Sequence, residues 1–293
     1  LRASIEHLAN GASRSEQPVA RTSEAAVIAV LGAKGGVGAT LVACQLAVGL
    51  QDLGAATALL DLALPQGDAA LHLDLQPAYS RVGAAHEAEA LDATFLRTLL
   101  TPHRSGVQLL AATERAEEAE LLRAEPVDRA LALLRADFDW VVVDLGRSWS
   151  EGSVRALDLA SQVILVTELD VAALANARRQ LELLERLGVS AGRVHVVENR
   201  HGRAEALTGR DGRRFLGRAV EARLPDEAAA AGACVNEGRT VGETTRNGPL
   251  HRAVLALAQR VHEWSGREAV LPARSGVLAR VRLGLARRVY GAA

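Results

Sequence analysis

Lysine is almost absent from this chain. Of its 34 lysine and arginine residues only Lys34 is a lysine, which leaves 33 arginines. Methionine is missing altogether, aromatic residues make up 3%, and cysteine is confined to Cys44 and Cys234. Two cysteines so far apart offer neither a disulfide framework nor metal-type spacing, so both read as small core residues in a reducing compartment. The histidines form no zinc-like cluster. No apolar run approaches the roughly 18 residues that span a bilayer, and the N-terminus lacks the pattern of a signal peptide. A formal net charge of −1 excludes a strong global field; nucleic acid is therefore not an expected partner, and any basic surface must be local. The chain opens on Leu1, which fits either an unusual start codon or a piece of a longer product.

What is present is ample material for a core. The 293 residues are 49% hydrophobic, enough for one large or two modest globular domains. Residues 1–10 have helical spacing (Leu1, Ile5, Leu8), and the polar stretch after them reads as linker. From Ala25 onward, strand-like apolar runs at 26–32, 56–61, 107–113, 140–146, 162–168, 193–199 and 219–225 are separated by helical patterns. The clearest helices are 40–53, 126–136, 171–187 and 249–264. Short continuous apolar strands alternating with helices predict an α/β, doubly wound, mainly parallel sheet covered on both faces. The expected division is an N-terminal helix and linker at 1–24, an α/β domain at 25–266 and a basic tail at 267–293.

The sole lysine sits in GAKGGVGAT, residues 32–40, between the first strand and a helix. Gly35, Gly36 and Gly38 allow backbone N–H groups to converge on phosphate oxygens at a helix N-terminus. Val37 and Ala39 complete the loop, and Thr40 opens the helix where its hydroxyl could hold Mg²⁺. The fourth strand runs through WVVV into Asp144, and the second ends in Asp61. Carboxylates at strand C-termini beside such a loop orient Mg²⁺, at the sheet edge where open α/β folds bind ligands.

AKGGVGAT resembles the deviant Walker A loop, xKGGxGK[ST], of the MinD/ParA group of P-loop ATPases, and its alanine-containing form is most similar to the CpaE/TadZ branch of Tad (Flp) pilus assembly. LLDLALPQGDAALHLDLQP (59–77), FDWVVVDLGRSWSE (138–151), VVENR (196–200) and LPDEAAAAGACVNEG (224–238) extend the resemblance across about 25–265. It implies ATP and Mg²⁺ as ligands and a homodimer formed through bound ATP. Lys34 would be the signature lysine reaching the partner's phosphates; Thr40 would ligate Mg²⁺, with Asp61 and Asp144 behind it. Asn199, Arg200 and Pro225 would line the adenine pocket, although Asn199 taken alone also fits a turn. The resemblance further implies pilus and secretion proteins as partners, a cytoplasmic or peripheral membrane location, and a receiver-like domain of which residues 1–10 could be the last helix. Cycling MinD- or ParA-type ATPases of division-site placement or cargo partitioning are the alternative, and a scaffold without nucleotide is a third. The two cysteines do not fit the cluster ligands of the nitrogenase iron-protein branch.

Two positions depart from the pattern. Ala39 replaces the lysine that contacts the β- and γ-phosphates in cis, a charge-assisted contact of about 1.5–3 kcal/mol, or about ten- to a hundredfold in affinity. Ala63 replaces the second carboxylate of an Asp-x-Asp pair that positions the attacking water, worth about 10²–10⁴-fold in rate. The expectation is a site that holds ATP and hydrolyses it slowly or not at all. Its phosphate cation would then come from Lys34 of the other subunit.

After Glu268 the chain has five arginines and no acid. In 277–290 Val277, Val281, Leu285 and Val289 recur every four residues beside Leu278, with Arg280 and Arg287 opposite and Arg282 and Arg288 flanking. Such a helix fits an anionic membrane surface, or docking on its own domain or a partner. If the membrane reading holds, anionic liposomes will float the full chain but not one ending at Gly266; equal flotation removes it.

Overall fold

The computed structural model describes residues 24–65, 67–78, 91–112, 124–147, 149–202 and 207–266; the expected N-terminal helix and basic tail lie outside them. Strand β1, Ala26–Gly32, is buried along its whole length, as seven consecutive apolar or glycine residues require of a strand covered on both faces. It leads through the glycine loop into α1, Ala39–Asp52. The chain continues as β2 (Thr57–Asp61), α2 (Ala69–His72), α3 (Ala93–Leu99), β3 (Thr101–Pro102), β4 (Gln108–Leu110), α4 (Ala124–Asp137) and β5 (Trp140–Asp144). Then come α5 (Glu151–Leu159), β6 (Gln162–Thr167), α6 (Val171–Arg186), β7 (Val194–His201) and α7 (Gly209–Leu216). The last elements are β8 (Ala222–Pro225), α8 (Ala228–Glu237), α9 (Val241–Thr244) and α10 (Pro249–Trp264).

The eight strands form one sheet in the order β3-β4-β2-β5-β1-β6-β7-β8. Every pairing is parallel except the short antiparallel β3–β4 pair. The predicted α/β doubly wound sheet is therefore the observed one. Each apolar run contributes a strand, with pairing confined to Gln108–Leu110 of the third run and Ala222–Pro225 of the last. Alternation along β1 divides the core. Ala26, Ile28 and Val30 face α1, α8 and α10, where Leu46, Leu50, Cys234, Val254 and Val261 are buried. Val27, Ala29 and Leu31 face α3 to α7, against Leu96, Leu131, Leu157, Leu174 and Leu216. Cys44 and Cys234 are both buried free thiols, as their composition-level reading expects.

The far end of α10 is pinned by the scarce aromatic residues. Trp140 is fully buried and meets His262 edge-on, with ring centroids 4.7 Å apart. Trp264 stacks on His195 at 3.7 Å, and its carbonyl accepts a hydrogen bond from Gln162 Nε2 at 2.8 Å. No helix among the described residues is long and apolar enough to cross a membrane.

The sheet edge is tied to the α8–α9 junction by Arg104, which donates to Glu243 Oε2 at 2.8 Å and to the Gly238 carbonyl at 3.0 Å. Glu243 also accepts from Thr240 N–H at 2.7 Å in a capping box that starts α9. The Arg104 hydrogen bonds hold the Glu243 carboxyl down, from 4.5 to about 2. Because the folded value is depressed, this contribution is present above pH 4.5 and is lost as pH falls toward about 2. Both side chains are more than a third exposed, so solvent screening limits the pair to about 1 kcal/mol or less. Glu243→Gln should lower the melting temperature at pH 7 and converge on the wild type near pH 2; a deficit constant across that range would exclude the linkage.

Candidate functional site

The chain winds from β1 to β2 on one side and, after β5, to β6 on the other, so the C-terminal ends of β1, β5 and β6 open a crevice at one level. There the glycine loop turns into α1. Gly36 and Gly38 take φ of 82° and 84°, the left-handed region in which a side chain is strained. At Gly38 space is closed as well: a Cβ would lie 2.6 Å from Asn199 Nδ2. That amide donates to the Val37 carbonyl at 2.8 Å, so β7 props the loop from below.

A cleft of about 920 Å³ runs over the loop. Lys34, Gly35, Gly36, Val37, Gly38, Ala39 and Thr40 line it, as do Asn199, Arg200 and Pro225. The structure thus gathers the whole predicted nucleotide-binding set around one cavity. Asn199 props the loop while facing the cleft, and Arg200 is ion-paired to Glu168 at 2.6 Å. Lys34 Nζ lies 3.6 Å from Asp170 Oδ2 of its own chain. Asp170 in turn caps α6, accepting from Ala173 N–H at 2.7 Å.

The two strand-end aspartates differ. Asp61 is 1% exposed, and its oxygens accept from Ala63 N–H at 3.0 Å and Ala69 N–H at 3.1 Å. It therefore braces the loop between β2 and α2. Asp144 is fully buried; Oδ1 accepts from Gly146 N–H at 3.0 Å, whereas Oδ2 has no partner of normal hydrogen-bond geometry. Burial pushes the Asp144 carboxyl above its ordinary range; the Thr40 hydroxyl and Gly146 N–H pull it back, and the charge of Asp68 adds to the rise. An orphaned carboxylate oxygen beside the Thr40 hydroxyl fits a hard divalent cation, which takes oxygen ligands and keeps several waters. Thr40 and Asp144 are the residues that would hold Mg²⁺.

Ala39 and Ala63 both face the cleft, so the missing lysine and carboxylate leave apolar wall where charge was expected. Sequence reasoning assigned no role to four charged cleft residues, Asp68, Arg147, Asp226 and Glu227, of which the first two stand nearest in sequence to the strand-end carboxylates. Asp68 begins α2 without making a side-chain cap bond, and Arg147 follows the β5 carboxylate. Both lie inside stretches whose resemblance had been noted, and neither carries a motif signal of its own.

Fold and loop together define a P-loop nucleotide-binding protein of the MinD/ParA kind. The chain belongs to the family whose model is described as cellulose biosynthesis protein BcsQ, which matches residues 25–190. Among curated proteins it is similar to the septum site-determining protein MinD of Thermotoga maritima, 26% identical over 207 residues that make up 68% of this chain and 75% of that one. A MinD from Synechocystis is 27% identical over 59% of this chain, a match spanning just under two thirds, 64%, of its own length. Among solved structures, a ParA family ATPase from Chlorobium tepidum has a TM-score of 0.76 at 21% identity, covering 80% of this chain and 98% of that one. MinD from Pyrococcus horikoshii, solved with Mg-ADP, has a TM-score of 0.70 at 18% identity, covering 83% and 98%.

Gly38→Ala combines positive φ with the contact to Asn199. The left-handed conformation alone costs about 1–2 kcal/mol, so the variant should melt several degrees lower and lose ATP binding in calorimetric titration. Unchanged binding would show that the loop geometry is not the site.

Proposed function

We propose that this chain is an ATP-binding dimeric switch that holds nucleotide and turns it over slowly or not at all. The observation that carries the reading is the cleft itself: a complete glycine loop, Thr40 and buried Asp144, with apolar Ala39 and Ala63 on its walls. Mg²⁺, bound through Thr40 and Asp144, supplies neutralisation of β- and γ-phosphate charge. The chain's own residues do the remainder. Loop N–H groups and the N-terminus of α1 receive phosphate oxygens, Asn199 keeps the loop in register, and Arg200 and Pro225 flank the base. The alanine at 63 leaves water at the γ-phosphate without a carboxylate at that position, which favours retention of ATP over turnover.

Lys34 stands at the cleft mouth, 29% exposed, on a weak ion pair with Asp170 that solvent keeps to about 1 kcal/mol or less. Exchange of that partner for a phosphate of a second copy would couple ATP binding to dimerisation. The assembly served by the switch is, on the loop resemblance, a Tad/Flp-type pilus machine at the cytoplasmic face of the membrane. The second reading is a cycling ATPase that places division sites, and the MinD relatives favour it. Steady phosphate release stimulated by a partner or a membrane would select that reading.

Light scattering with ATP·Mg²⁺ should give a dimer for the wild type and a monomer for Lys34→Ala. A wild type that stays monomeric with ATP, or a variant that dimerises normally, removes the switch.

A further inference from the structure

The loop lacks a lysine at position 39, yet a cation from elsewhere in the same chain lies across it. Arg147 comes three residues after Asp144, on the turn that leaves β5. The Gly146 carbonyl accepts from Gly32 N–H at 2.8 Å, so the turn that carries Arg147 is clipped to the base of the glycine loop. The guanidinium stem lies over Gly35: Nε, Cδ and Cζ are 3.8, 3.9 and 4.0 Å from where a Cβ on that glycine would stand. Arg147 lines the same cleft as Gly36, Gly38 and Thr40.

Three cations of the described residues line that cleft, and they are not equivalent. Lys34 is paired with Asp170 and Arg200 with Glu168. Arg147 makes no hydrogen bond or ion pair among the described residues. This exposed guanidinium lies beside the loop N–H groups and the positive end of a 14-residue helix, three features of one sign at the loop, in a cleft that Asp68, Asp226 and Glu227 also line. An anion at the loop would meet all three of these features together. Phosphate suits the guanidinium best, since its fork of N–H donors matches two phosphate oxygens at once.

We propose that Arg147 takes over the role of the absent loop lysine, donating in cis to the β- and γ-phosphate oxygens of a bound nucleoside triphosphate. The proposal rests on the ATP-binding reading and changes its order of events. A single chain acquires its own phosphate cation, so nucleotide binds before dimerisation, and Lys34 is left for the partner.

The test is nucleotide affinity at a protein concentration where sedimentation shows a monomer, with ATP·Mg²⁺ titrated and adenosine run as a ligand without phosphate. Arg147→Ala should bind ATP about ten- to a hundredfold more weakly, bind adenosine as the wild type does, and melt at the wild-type temperature without ligand. Ala39→Lys combined with Arg147→Ala should recover ATP affinity to within a few fold of the wild type, because the charge returns from the other side of the loop. The proposal is overturned if Arg147→Ala binds ATP like the wild type, if ATP and adenosine weaken by the same factor, or if the lysine brings no recovery. A wild-type chain that binds no ATP fails at the earlier step and takes the switch reading with it, whereas normal wild-type binding with an indifferent Arg147→Ala removes this inference alone.

Discussion

Gly32 N–H donates to the Gly146 carbonyl at 2.8 Å, and Leu145 N–H donates to the Val30 carbonyl at 2.9 Å. These two bonds carry the β1–β5 ladder beyond the regular strands and lock the start of the glycine loop to the turn after Asp144. The site is built on that seam. Thr40 can stand beside Asp144, and Arg147 can lie across Gly35, only because two segments more than a hundred residues apart in sequence share one register. The seam is secure because both strands are buried on both faces, where an unpaired backbone group would forfeit its water without compensation.

The chemistry above the seam is a redistribution of charge. Position 39 gives apolar surface, as does position 63, and the carboxylate of Asp61 is spent on backbone N–H groups of its own loop. Beside the loop itself stand one orphaned oxygen on Asp144, the Thr40 hydroxyl and the arginine across Gly35, and Asp68 lines the same cleft. The proposed ATP·Mg²⁺ site rests on these groups. Its neighbours are engaged in structure: Asn199 supports Val37, and Glu168 engages Arg200.

Much of this was legible from sequence. Runs such as WVVVD and QVILVT have a single physical outcome in a globular chain, a strand buried on both sides, and the glycines at 36 and 38 announce the positive φ they adopt. The long amphipathic helices α4, α6 and α10 were visible for the same reason. Elements with weak local signal were not. Strand β3 has two residues and pairs only because β4 lies beside it, while α7 and α8 contain glycines that depress intrinsic helicity.

By itself the sequence determined the parallel α/β architecture, the position of the phosphate loop and the identity of the charges missing from it, because apolar periodicity and glycine placement act locally along the chain. Only the tertiary structure decided which groups stand around that loop. Lys34 turned toward Asp170, Asp61 toward its own backbone and Arg147 across Gly35. Those outcomes depend on distances between strand ends, set by how buried strands pair and which side chains find partners there, and no local pattern encodes them.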